Sequence, residues 1–425
     1  MHLGAAISAR AKTNFTTHMP RISHFHPSDL RAGGRLVIDA VLGITDLVES
    51  MHHTVAGVTA PLGKSPSGAT KGITGMVYRT VRGVTRMVGG GIDLALAPLT
   101  GLLDARDSTP ARDNIVAALN GVLGDYLVAS HNPLAIGMQW RLPGNTLVVE
   151  KSALARAYPN ASGKILVLVH GLCMSDGQWL RETATGPHDH GAALEGDLHY
   201  SPVYLRYNSG QHVSVNGRSF ADALESLLDA WPVAVEELTI LAHSMGGLVA
   251  RSAHHYATIA ELRWPEKLRT IVFLGTPHHG APLERGGHWI DVLLGASPYS
   301  APFARLGKIR SAGITDLRHG DLRDEDWQHR EQGKRVTSAK RALPLPEKVC
   351  CFAIAATTGK RKGDISDRLL GDGLVPLSSA LGQHTHRVLD LAFPAARQWV
   401  GVEMNHMDLL SSPEVYKQIR KWLAS

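Results

Sequence analysis

The chain has 425 residues, 44% hydrophobic and 19% charged, with 44 Lys and Arg against 38 Asp and Glu for a net charge of +6. That balance excludes an intrinsically disordered chain, and the length allows a core that holds without staples. Only three cysteines occur, and Cys350 and Cys351 are neighbours in an expected strand, poorly placed to pair, so no disulfide framework is implied and a reducing compartment fits.

Residues 1–30, rich in Asn, Thr, His and Pro, read as disordered, and they lack the apolar core of a secretory signal. No window reaches the roughly 18 apolar residues of a membrane span. The longest candidate, 91–103, is short and holds Asp93 and Pro98. The expected location is therefore cytoplasmic.

Residues 31–134 read as a helical extension with apolar residues at helical spacing over 35–51, 71–88 and 112–129. The middle helix is basic on one side. Ile73, Met76, Val77, Val81, Val84, Met87 and Val88 fall within an arc of about 140°, and Lys71, Arg79, Arg82 and Arg86 lie opposite. A helix of this form lies on anionic membrane surfaces, which would make the protein peripheral to a membrane. The pattern equally fits a stripe packed on the rest of the fold with its charges solvated, the commoner case in soluble chains. Nucleic acid is not an expected partner, because Tyr78 is the only aromatic residue in this basic stretch.

From 135 to 425 short Val/Ile/Leu runs alternate with helical stretches, the signature of a mostly parallel sheet flanked by helices. Runs 135–142 and 146–150 read as an antiparallel opening hairpin. Strands are then expected at 164–169, 203–207, 238–242, 270–274, 349–355 and 399–402, with helices at 219–231, from 245 through 257, and at 413–423. The segment 281–348, rich in Gly, Arg, Asp and Pro, reads as a cap or lid insert, since so long an irregular stretch in a compact domain usually serves function.

The strongest chemical signal is Leu241-Ala242-His243-Ser244-Met245-Gly246-Gly247, between an expected strand and helix. A nucleophilic Ser on such a sharp turn needs small residues two before and two after it, here Ala242 and Gly246. The anionic oxygen of a tetrahedral intermediate needs fixed N–H donors. One would come from Met245, at the positive end of its helix, and one from Leu172, where Gly171 turns the chain after Val169-His170. Acid and base should follow in the order Asp, His. His406, after the last strand, is the expected base, with His384 and His386 as rivals. Asp372, in Gly371-Asp372-Gly373-Leu374-Val375-Pro376, is the expected acid, with Asp364, Asp367 and Asp390 as rivals, and Asp-Gly is also a common turn pair.

These residues resemble the esterase/lipase branch of the α/β-hydrolases, nearest to bacterial lipases and PGAP1-like, inositol-deacylase-like esterases. The resemblance rests on Val169-His170-Gly171-Leu172, the Ser244 motif, Gly275-Thr276-Pro277-His278-His279-Gly280, Asp372-Gly373-Leu374-Val375-Pro376 and Asn405-His406, and covers roughly 164–425. It implies an α/β-hydrolase fold with cap insert and a carboxylic-ester hydrolase working through an acyl-enzyme on a small-molecule or lipid-like ester. It also implies that 275–280 lines the site. By their own pattern, His278 and His279 read as structural. An acyltransferase or thioesterase would use the same residues, and a non-catalytic membrane-associating protein could keep the scaffold. Some related lipases hold calcium through an Asp two residues after the His, where Asp408 stands here. The second ligand position falls at Cys351-Phe352-Ala353, so no calcium is expected. Zinc motifs are absent too, and neither a metal nor a cofactor is expected.

Overall fold

The computed structural model describes residues 110–184, 186–281, 311–331, 343–360 and 371–424. The expected helices at 35–51 and 71–88, and the first 30 residues, lie outside them.

The chain opens on helix α1 (Pro110–Ala129) and the antiparallel pair β1 (Gln139–Leu142) and β2 (Asn145–Thr146). This hairpin is shorter than expected, and the residues after it form a short helix, α2 (Lys151–Ala157). Then come β3 (Lys164–Val169), a small hairpin of β4 (Arg181–Thr183) and β5 (Gly186–His188), α3 (His190–Leu198) and β6 (Ser201–Arg206). Helix α4 (Val213–Ala230) leads to β7 (Glu237–His243), α5 (Met245–Ile259) and β8 (Leu268–Leu274). Two insert helices follow, α6 (Ala312–His319) and α7 (Asp324–Glu331), then β9 (Cys350–Thr357), β10 (Gln398–Val402) and α8 (Pro413–Leu423).

The eight-stranded sheet has the order β10-β9-β8-β7-β3-β6-β1-β2. From β10 to β6 every pair is parallel, and only β6/β1 and β1/β2 are antiparallel. The unbroken apolar runs follow from burial on both faces: Ile165 through Val169 in β3 are all fully buried. On one face Leu166, Leu168, Leu241, Val272 and Ile354 meet Leu409, Val415 and Ile419 from the C-terminal segment. The two helices that carry the elbow and its neighbour, α4 and α5, touch at Gly217, where an added Cβ would collide with Ser252. This contact requires the glycine inside α4, which begins at Val213, six residues before the expected start.

Helix α1 belongs to the same compact unit as the sheet, Arg106–Ser425, although its sequence pattern groups it with the N-terminal helices. Asn120 fastens it. Its Nδ2 donates to Leu134 O (2.7 Å), and its Oδ1 accepts from Ile136 N (2.9 Å). The described part of the insert is likewise tied to the body. Ser311 Oγ donates to Gly121 O (2.7 Å), Val213 N donates to Asp316 Oδ2 (2.8 Å), and Trp327 Nε1 donates to Ser214 Oγ (3.1 Å).

Because the strands from β10 to β6 run parallel, their carboxyl ends share one edge of the sheet. Open α/β sheets place ligands at that edge. The segments after β3, β7, β8, β9 and β10 all meet there, and they carry Leu172, Ser244, Gly275, Asp372 and His406.

Among the described residues no helix is long and apolar enough to cross a membrane.

Candidate active site

Ser244 stands between β7 and α5 with φ 54° and ψ −125°. A non-glycine residue in that region is strained, and the strain persists only where the surroundings hold it. Here Ser244 N donates to Leu274 O (2.8 Å), tying the turn to β8. Gly246 has no room for a side chain, since a Cβ would lie 2.5 Å from Val169 O and 2.6 Å from His170 O. Ala242 is fully buried and fits its place. The small-residue requirement read from the sequence thus has its physical cause in the packing of α5 against the end of β3.

That same packing brings the turn after β3 to the serine. A Cβ on Gly171 would lie 3.0 Å from Ser244 Cβ and 3.2 Å from His243 Nδ1. The next amide, Leu172, therefore sits beside the elbow. Met245 opens α5, so its N–H has no intrahelical acceptor and lies at the positive end of a 15-residue helix.

His406 and Asp372 are brought together in full. His406 Nδ1 donates to Asp372 Oδ2 at 2.6 Å, with the two side chains 1% and 0% exposed. Asp372 Oδ1 accepts from Leu374 N (3.0 Å) and Val375 N (2.8 Å), and His406 N donates to Asp372 O (3.1 Å). The Asp-Gly turn and the pairing with His406 are thus the same structure, with one carboxylate oxygen closing the turn and the other holding the ring. His406 Nε2 is buried and has no hydrogen-bond partner, Ser244 Oγ included. With Nδ1 donating, that nitrogen carries a free lone pair.

Two residues position the ring in a way the sequence reading did not foresee, although both lie in motifs it quoted. Gly275, at φ 58°, lies under it: a Cβ there would sit 2.9 Å from His406 Cε1. His243 Nε2 donates to His406 O (3.2 Å), and the two rings lie 4.6 Å apart. Burial, then the neighbouring His406, hold the His243 pKa well below the usual histidine value, so it serves as a neutral donor. Nothing in the pattern Ala-His-Ser announces that contact. The left-handed glycine at the end of β8 was the available signal for Gly275.

The rivals stand elsewhere. His384 and His386 stack on each other at 5.6 Å, and exposed Asp390 caps Ala392 N (2.7 Å). Asp364 and Asp367 lie outside the described residues. His278 packs edge-on to Phe273, and its backbone N–H reaches Ser379 O (3.2 Å), a structural place. Asp408 Oδ2 accepts from Asn405 N (2.7 Å). Among the described residues no group of three or more His, Cys, Asp or Glu is placed to hold a metal ion.

A mostly parallel sheet bearing a strained serine between strand and helix, at the edge where a histidine–aspartate pair arrives, is the architecture of the α/β-hydrolase fold. Residues 160–343 match the family model described as a PGAP1-like alpha/beta domain. Solved structures similar to it include the Bacillus licheniformis lipase BlEst2 in mature form, at 17% identity over 61% of this chain and 91% of that one, TM-score 0.39. The Legionella pneumophila phospholipase PlaB in complex with thio-NAD is similar at 19% identity over 51% of this chain and 44% of that one, TM-score 0.32. An arylesterase is similar at 12% identity over 62% and 74%, TM-score 0.36. The chain thus spans less than half the length of PlaB. Comparison with curated proteins gave no match.

Proposed function

We propose that the protein hydrolyses carboxylic esters through an acyl-enzyme on Ser244. The observation that carries this reading is the His406 ring: Nδ1 is bonded to a buried carboxylate, and Nε2 is bare at the edge where Ser244 stands. Ser244 Oγ attacks the ester carbonyl carbon while its proton passes to His406 Nε2. Asp372 holds the ring in the tautomer that can accept it and stabilises the imidazolium that forms. The negative charge on the former carbonyl oxygen is met by the N–H groups of Leu172 and Met245. Collapse breaks the C–O bond, and the departing alcohol takes the proton from His406. A water then attacks the acyl carbon and gives a proton to Nε2; collapse breaks the acyl–Oγ bond, Oγ takes that proton back, and the acid leaves. The Asp372–His406 bond is in place before substrate arrives, so the ring itself needs little reorganisation.

The test is a fluorophosphonate probe together with p-nitrophenyl esters from acetate to palmitate. The wild type should be labelled at Ser244 and should turn over at least one ester, with the chain-length optimum reporting esterase or lipase character. Ser244→Ala should fold normally, escape labelling and show no turnover. Labelling at another serine, or unchanged turnover by the variant, overturns the reading.

A further inference from the structure

Arg251 lies on α5, seven residues past Ser244 and so about 10 Å further along the helix axis. It is 2% exposed, yet among the described residues no carboxylate stands within ion-pair distance of it. Its guanidinium donates to Leu343 O, and through NH1 to His278 Nδ1 (3.3 Å), while Nε–H has no acceptor. Since Nδ1 of His278 accepts, the ring proton is on Nε2, and that nitrogen is also buried without a partner. Two buried donors, one of them on a cation without a counter-ion, are therefore unmatched. A buried ion without a counter-ion is a costly arrangement, and so is each unmet donor. Burial lowers the Arg251 pKa to about 10, which leaves it cationic at neutral pH.

Both side chains line a cavity of about 120 Å³, whose wall also includes His279, His319, His384 and Asp326. That volume is well above the roughly 10–15 Å³ that admits one water. The one acid among the described residues of the wall is already engaged. Asp326 Oδ2 accepts from Leu322 N (3.0 Å) and Arg323 N (2.9 Å), and Oδ1 accepts from the Arg323 guanidinium (2.9 Å). Cys351, close enough to sense the Arg251 charge, is a neutral thiol, pushed up to about 12 by burial. The cavity thus sets a cation without a counter-ion beside His278, His279, His319 and His384, and a phosphate brings more charge and more acceptor oxygens to meet them than a carboxylate does.

We propose that this cavity binds a phosphate group, held by the Arg251 guanidinium and the histidines of the wall, apart from the Ser244 site. Its occupant ties α5 to the loop after β8, the two elements that carry Met245 and Gly275. Free phosphate and the phosphate of a monoester share this chemistry.

The test is calorimetric titration of the full chain at pH 7 in a phosphate-free buffer with inorganic phosphate, glycerol 3-phosphate and acetate. Saturable binding of one phosphate per chain is expected, with acetate at least tenfold weaker. Tighter binding of glycerol 3-phosphate than of inorganic phosphate assigns the site to an esterified phosphate, and the reverse assigns it to the free ion. Arg251→Gln should lose binding. His384→Glu, at a half-buried position on the cavity wall, should weaken it at least tenfold. The proposal fails if folded wild type binds neither phosphate, if acetate binds as tightly, or if His384→Glu binds as well as the wild type.

Discussion

Asp372→Asn tests the candidate machinery most sharply, because its structural consequence can be worked out atom by atom. Asp372 Oδ1 accepts two backbone N–H groups, from Leu374 and Val375. An asparagine has one acceptor oxygen, and turning its NH₂ toward those two donors would forfeit both bonds, at roughly 1 kcal/mol each or more. The amide oxygen therefore stays on the turn, and the NH₂ takes the place of Oδ2, facing His406 Nδ1. Nδ1 must then accept, which moves the ring proton to Nε2 and removes the lone pair that Ser244 needs. In the serine-protease triad the equivalent change lowers kcat by about 10⁴, or about 5.5 kcal/mol of barrier at 1.36 kcal/mol per tenfold. The same loss is expected here in p-nitrophenyl butyrate turnover, with KM changed little and the turn intact by circular dichroism and thermal melting. A folded variant keeping more than a tenth of wild-type kcat would refute the assignment, as would an equal loss from Asp390→Asn.

Gly275→Ala should lower kcat on the order of 10², the scale for a catalytic group displaced by about 1 Å, because its Cβ would press on the His406 ring; a near-wild-type kcat in the variant would show that the ring has room to give. Burial holds the pKa of His170 at about 4 and that of His190 at about 3. Below the unfolded value of about 6.5 the unfolded chain binds protons that the native state refuses, so these two residues leave stability whole above pH 6.5 and erode it as pH falls. Their contribution is about 1.4 kcal/mol each per pH unit between 6.5 and 4, and urea unfolding at pH 7.5 and 5.5 should show it; equal or greater stability at pH 5.5 would contradict the assignment. For 71–88, the hypothesis of a surface helix, motivated by its one-sided basic face, predicts sedimentation with anionic but not zwitterionic vesicles, weakened by salt and by changing Arg79, Arg82 and Arg86 to Gln. Equal partitioning of wild type and triple variant would leave that helix as scaffold.

The parallel core strands were legible in the sequence because each is buried on both faces and so must be an unbroken apolar run; 164–169 was read to the residue. The short elements were not. Helix α2 and the β4/β5 hairpin have too few residues to show a period, and the start of α4 was hidden by Gly217, whose fitness depends on Ser252 about 35 positions away. Ser244 was legible for a local reason: a strained turn restricts its immediate neighbours to small residues, and that restriction is written into adjacent positions. Asp372 and His406 were inferable by chain order alone. That they meet at 2.6 Å, with Gly275 beneath the ring and His243 on its carbonyl, depends on five parallel strand ends converging on one edge. The unmatched donors of Arg251 and His278 had no sequence signature, for an arginine becomes unusual only once burial strips away its water and no acid is found beside it. Local sterics and burial leave periodic traces in a sequence, whereas contacts across 27 or 34 residues of chain exist only after the sheet has brought their partners together.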